Sequence, residues 1–274
     1  GLGKKNARND PTGTVKYSFK VDEDKVNDIL IEKIKYVQNE RIQKGLNEYT
    51  PEEISQITNS FNLLDKDRVY EKNSLGEPSS FNLSIESIGF MSSSQIIYDS
   101  VINLKLTLID IRNSFILSEN NTNLSIYLKN KVKVDNLERD NINNGCSIKI
   151  VDENHTIGNL LQYYLRKNFL QITESESKIL KIAGYRMDHP TIEEIEFIMV
   201  PLSTLKKSDI ITNIKHILSK NSDFSNIDYG LLKSEYDDKL IHYLCILAFI
   251  VTINDTLKDI NKFISEFENI SGIK

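Results

Sequence analysis

The sequence predicts an α+β fold in two halves. Each half is a small antiparallel sheet with long helices, and the halves pack through a helical bundle. Three observations predict it. Short segments such as Val15-Lys-Tyr-Ser-Phe19, Phe81-Asn-Leu-Ser-Ile85 and Ser147-Ile-Lys-Ile-Val151 alternate apolar and polar residues, the period of half-buried strands. Two long stretches carry apolar stripes at spacings of four and three. One holds Ile97, Val101, Leu104, Leu108, Ile111 and Phe115; the other holds Ile246, Ile250, Ile253, Leu257, Ile260, Ile264 and Phe267. Narrow seams of this kind pack helix on helix. Finally, strands precede a striped helix in both 1–120 and 121–274, a weak structural repetition without clear repetition of sequence.

In chain order, Val15, Tyr17 and Phe19 form a first strand. Residues 24–68 are rich in lysine and glutamate at helical spacing (Ile29, Ile34, Val37, Ile42). Within them Thr50-Pro-Glu-Glu53 marks a second helix start, with an N-cap, a proline at the first position and acids in the first turn. The stretch at about 24–70 reads as a polar helical insertion. Residues 71–80, with Gly76 and Pro78, form a loop. The strand from Phe81 ends at Gly89, and Ser92-Ser-Ser94 opens a helix over 92–117. Ser118 to Asn123 is a polar joint between the halves. Leu124–Leu128 and Lys131–Val134 form a short hairpin. Further strands lie at Ile179–Ala183 and Ile195–Val200, joined by a turn through Asp188-His-Pro190. A last helix runs from about Asp237 to Asn269. From Lys239 to Ile253 it is almost wholly apolar. That is too short to span a bilayer comfortably, so it reads as a buried helix needing cover on more than one side.

The chain has 274 residues and a mass of 31.5 kDa, enough for one large or two modest domains with real cores. Hydrophobic content of 39% with 27% charged residues suits a soluble globular protein rather than a disordered one. A net charge of -5 argues against a surface that holds nucleic acid by bulk charge, so no direct DNA binding and no membrane partner is expected. Cys146 and Cys245 and the four histidines lack CxxC or HxxxH spacing. That pattern argues against zinc in this chain and fits two reduced intracellular thiols. The first residue is Gly1, without a signal peptide, as expected of a fragment or processed product.

The organising stretch is Val151-Asp-Glu-Asn-His-Thr-Ile-Gly-Asn-Leu-Leu-Gln-Tyr-Tyr-Leu165, a strand end, a polar turn and an amphipathic helix. Asp152, Asn154 and Thr156 can accept from the free N–H groups of a first helical turn. Ile157, Leu160, Leu161, Tyr164 and Leu165 share one helical stripe. Gly158 costs about 1 kcal/mol there relative to alanine, which implies a backbone or bulky side chain lying against it.

The run "DENHTIGNLLQYYL…AGYRMDHP…EIEFIMV" closely resembles the eleventh subunit of eukaryotic RNA polymerase II, called L in archaea and equivalent to one copy of bacterial alpha. Ile157 stands where that family usually has leucine. The family passes almost directly from its last strand to its long helix, so residues at about 202–236 read as an insertion. The start of the chain, Gly1-Leu-Gly-Lys-Lys-Asn-Ala-Arg8 followed by Pro11-Thr-Gly-Thr-Val-Lys-Tyr-Ser-Phe19, resembles a loop-and-strand signature of the third-subunit family, archaeal D. Asn6 replaces the family's histidine. The block from Phe81 to Ile111 resembles the close of that family in pattern more than in identity. That signature lies past the midpoint of the family's own chain, so the resemblance implies an N-terminal part that is missing here or carried by a separate chain.

The resemblance implies a non-catalytic assembly subunit of DNA-directed RNA polymerase, a fused D-like and L-like pair of the kind found in some large DNA viruses. Its partners would be the two large catalytic subunits and small polymerase subunits. Magnesium and zinc are expected only in those other subunits. Localisation would be intracellular: host cytoplasm or virion for a viral protein, nucleus otherwise. The half-to-half interface is expected at Ile97, Val101, Leu104, Leu108, Ile111 and Phe115, at Ile157, Gly158, Leu161 and Tyr164, and at Ile246, Ile250, Ile253, Leu257 and Ile260. Lys4, Lys5 and Arg8 are candidates for large-subunit contact, or for an anion-binding nest with Gly1 and Gly3. Two alternatives stay open. One is a small-molecule hydrolase using Asp152, Glu153 and His155, although no nucleophile has recognisable context. The other is a helical interaction module with an unrelated partner.

Overall fold

The computed structural model describes residues 11–73, 76–120, 123–128, 131–139, 142–172, 178–189, 191–206, 208–209, 211–213, 216 and 237–273. The architecture is α+β, as expected, in two compact units, Gly1–Ile96 and Ile97–Lys274. This cut falls before the 120/121 division drawn from the sequence. The reason is that the turns after Ile96 contribute Leu108 and Ile111 to the core of the second unit.

In the first unit, β1 (Thr12–Phe19) pairs antiparallel with β2 (Phe81–Ser87). Between them lie α1 (Glu23–Gln43) and α2 (Pro51–Leu64). Thr50 caps α2 as its sequence predicts: its hydroxyl accepts from Glu53 N–H at 3.3 Å, and the Glu53 carboxylate accepts from Thr50 N–H at 2.8 Å. Among the described residues, Val26 of α1 and Phe61 of α2 form a small core with Val69.

α3 (Ser93–Asn113) opens where Ser92-Ser-Ser94 predicts, but ends before Phe115. Phe115, assigned above to the helical seam, is the first residue of β3 (Phe115–Asn120), which pairs with β4 (Asn123–Leu128). The expected polar joint at 118–123 is therefore mostly strand. The expected hairpin of 124–128 with 131–134 does not form either. Instead β5 (Val132–Arg139) pairs with β6 (Ile142–Val151). Short apolar runs give strand propensity but not the partner, which the register of the larger sheet decides.

That sheet has the order β5-β6-β8-β7, with β7 at Leu180–Arg186 and β8 at Glu194–Pro201. Its inner face is built from cross-strand pairs: Cys146 opposite Met199, Ile148 opposite Phe197 and Ile150 opposite Ile195, all fully buried. Two helices belong to the same core, α4 (His155–Phe169) and α5 (Asp237–Ser271). Nearly every residue of α5 from Ile241 to Ile253 is buried. Beyond Ile253 the buried positions thin to one stripe of Thr256, Ile260 and Ile264. Length and composition alone would let Ile241–Ser271 cross a membrane; 61% of its apolar window is instead buried within the protein. Phe249 sits at the junction, edge-on to Phe197 of β8 at 4.8 Å and 5.9 Å from Phe115. Cys146 and Cys245 are free and buried, and the Cys146 thiol beside it, with burial, pushes the Cys245 thiol well up.

Candidate helical interface

α5 is gripped on two sides by antiparallel ladders of polar contacts. Toward α3, the Tyr98 hydroxyl donates to Glu268 at 2.9 Å and Arg112 Nε donates to Asn254 Oδ1 at 3.3 Å. Residues 98 and 112 are fourteen apart, as are 254 and 268, so one straight antiparallel register satisfies both bonds. Toward α4, the Tyr164 hydroxyl donates to Asp259 at 2.7 Å and Asn168 Nδ2 donates to Asp255 at 2.8 Å. Both spacings there are four, one helical turn. Burial and the Asp259 carboxylate push the Tyr164 hydroxyl well up, so it remains a donor. Burial also raises the Asp255 carboxyl, against the lowering pull of Lys258 and Asn168.

Most of the residues expected from the stripes belong to one core cluster, which also includes the inner face of the sheet. Leu108, Ile111, Phe115, Ile157, Leu161, Ile246, Ile250, Ile253 and Ile260 are buried in one cluster. Val101, Leu104 and Leu257 pack against it half-buried. Two positions differ. Ile97 is half-buried but not among the described members of that cluster, while Tyr98 and Ile102 are. The rest of the stripe keeps its positions; at the start of α3 it is Tyr98 that reaches α5, through Glu268. Tyr164 is half-buried and contributes its hydroxyl rather than its ring edge alone.

Gly158 is packed closely, but not where the interface reading put it. A Cβ on residue 158 would lie 2.6 Å from Cδ2 and 2.8 Å from Cζ of Tyr185. Tyr185 belongs to β7, so this contact seats α4 on its own sheet, within 121–274, and does not bridge the two halves. The ring is fixed from both ends: its hydroxyl is 3.0 Å from His155 Nδ1, and Phe197 lies 5.8 Å away. Gln162 Oε1 also accepts from Tyr185 N–H at 3.0 Å.

Asp152, Glu153 and His155 each have a different structural setting. Asp152 takes a left-handed backbone (φ 60), a conformation short polar residues tolerate in turns. Asn154, rather than Asp152 or Thr156, caps α4, accepting from Thr156 N–H at 2.8 Å. His155 is exposed and turned to Tyr185. Glu153 is 5% exposed and pairs with Lys131 at 2.9 Å; Lys131 also reaches Asp110 of α3 at 2.9 Å. Burial raises the Glu153 carboxyl more than Lys131 lowers it. Burial alone would lower the Lys131 ammonium, but the Asp110 and Glu153 carboxylates raise it. This cation, which links α3 to the turn before α4, was not singled out in the sequence. A lone lysine before a strand carries no signal of its partners.

A second buried carboxylate, Glu196 on β8, accepts from the Ser147 hydroxyl at 2.5 Å and from Arg186. Burial works upward on its carboxyl, but Ser147 and Arg186 hold it below its ordinary value. His189 Nδ1 is 2.7 Å from the Thr191 hydroxyl, a turn contact. No group of three or more metal-ligating side chains occurs among the described residues. Lys4, Lys5 and Arg8 lie outside the described residues, as does most of the stretch at 202–236.

Residues 145–225 match the family model of the RNA polymerase Rpb3/Rpb11 dimerisation domain. The matched segment contains most of β6 and all of α4, β7 and β8. The match makes this segment of the chain similar to an alpha-like RNA polymerase subunit. No curated protein matches the chain.

Proposed function

We propose that this chain is a non-catalytic subunit of a multisubunit DNA-directed RNA polymerase. Residues 1–120 would act as the third-subunit-like half and residues 121–274 as the eleventh-subunit-like half, joined in one polypeptide. The pair presents an assembly platform to the two large catalytic subunits. The observation that carries this reading is the antiparallel pairing of α3 with α5, Tyr98 on Glu268 and Arg112 on Asn254. Each helix closes one proposed half, and α4 of the matched segment packs on the same α5. An interface of long apolar helices is of the permanent kind. Joining the halves makes their encounter intramolecular, at an effective concentration on the order of millimolar.

On this reading DNA contact runs through the large subunits, whose acidic motifs hold the catalytic magnesium, and the polymerase belongs to a large DNA virus. The test is affinity purification of the tagged full chain from its source, with mass spectrometry of the co-purifying proteins. The two large polymerase subunits are expected. Their absence, with unrelated partners in their place, would leave a helical interaction module.

A further inference from the structure

The chain has five prolines, and the residues before them are Asp10, Thr50, Glu77, His189 and Val200. Thr50-Pro51 is therefore the one place where a side-chain hydroxyl precedes a proline. It lies in the first unit, where the connector between α1 and α2 ends. That connector is open to solvent. Every residue from Ile42 to Thr50 is exposed except the half-buried Tyr49, and Pro51 and Glu52 are exposed as well. Thr50 has an extended backbone (φ -70, ψ 158), the region to which a following proline restricts it. Its hydroxyl is held loosely, accepting from Glu53 N–H at 3.3 Å and donating to Glu53 Oε2 at 3.2 Å. The first turn of α2 can open at small cost, as helix ends do. A hydroxyl on an exposed, extended segment is what a protein-kinase cleft accepts. The proline after it fixes the course of the chain and removes one N–H.

The same corner carries a cation placed to receive a phosphate. Arg41, in the last turn of α1, donates through Nη1 to Glu53 Oε1 at 2.9 Å. Thr50 touches the other oxygen of that carboxylate, so one carboxylate separates the hydroxyl from the guanidinium. The guanidinium lies over the Tyr49 ring, 4.1 Å from its centroid. Its buried Nε has no hydrogen-bond acceptor among the described residues. A guanidinium is a planar fork of donors, and a single contact to one carboxylate oxygen leaves this Nε unused. A phosphothreonine carries about two negative charges and three acceptor oxygens, which suit two-pronged pairing with arginine. Glu53 can give way, because its side chain is already 37% exposed.

We infer that Thr50 is a phosphorylation site for a proline-directed protein kinase, with Arg41 as the partner of the phosphate. The Thr50 oxygen attacks the γ-phosphorus of ATP, the bond from that phosphorus to ADP breaks, and the hydroxyl proton passes to the kinase's catalytic carboxylate. The test incubates the full chain with a purified proline-directed kinase, magnesium and ATP, followed by peptide fragmentation in a mass spectrometer. Phosphate at Thr50 is expected. Thr50→Ser should keep it, and Pro51→Ala should lose it. A parent chain without phosphate at Thr50, or a Pro51→Ala chain modified there as fast, overturns the inference. The chain purified from its source with phosphatase inhibitors should carry the same modified peptide; Thr50 wholly unmodified there also overturns it. Phosphorus NMR of the modified chain reads Arg41. The phosphate should titrate below its ordinary midpoint of about 6 and return toward it in Arg41→Gln. Equal midpoints in the two would remove Arg41 from the site. None of these readouts depends on which subunits co-purify, so the site and the proposed function fail separately.

Discussion

The ring of Tyr185 occupies the space that a side chain on residue 158 would need, with Cδ2 2.6 Å from the position of such a Cβ. The contact is to the middle of a ring held at its hydroxyl by His155 and on its side by Phe197, so it cannot swing away freely. Gly158→Ala should therefore destabilise the chain by about 1–2 kcal/mol, the overpacking cost exceeding the gain in helix propensity. Thermal melting checks this. Combined with Tyr185→Leu, the loss should be smaller than the sum of the two single losses.

Ile250 and Ile270 lie on one helix in opposite environments, 2% and 86% exposed. Ile250→Asp places a charge in the core beside α4 and the sheet and should cost several kcal/mol. Ile270→Asp should stay within about 0.5 kcal/mol of the parent. Circular dichroism and urea titration of the two variants compare them directly.

The hydrogen bond from Tyr98 to Glu268 spans 170 residues of sequence. Tyr98→Phe should lose about 0.5–1.5 kcal/mol. In a double-mutant cycle with Glu268→Gln, a coupling energy near zero would show that α3 and α5 do not hold this register in solution.

Glu196 and Glu153 predict opposite acid responses. The Glu196 carboxyl is held below its ordinary value of 4.5, so its contribution is fully present above that pH and lost as pH falls through the lower folded value. Glu196→Gln should flatten stability between about pH 5 and 3. Glu153 is raised by burial, so protonating it relieves the folded state. Lys131→Met removes its compensating cation and should destabilise the chain at neutral pH, with part of the loss recovered on acidification. Urea midpoints across that range test both signs.

Much of the fold was legible because its main elements are long and periodic. The stripe from Ile246 to Phe267 located α5, and Thr50-Pro-Glu-Glu53 located the start of α2. Gly158 signalled a close approach, but its partner Tyr185 lies 27 residues away on a strand of the sheet, which spacing alone does not reveal. Phe115 fitted the helical period and yet begins a strand, because the pairing of β3 with β4 overrides a period that one residue can satisfy by chance. The two ladders along α5 were hidden for another reason. Polar residues a turn or several turns apart on a helix look like a solvated face until the neighbouring helix is in place.

The central claim is that one polypeptide fills two positions of a polymerase platform. Native mass spectrometry of the polymerase purified from the source tests it most directly. The account predicts one copy of this chain for each pair of large subunits, with no separate third-like or eleventh-like subunit. A polymerase that lacks this chain, or holds it beside a separate pair of such subunits, would contradict it.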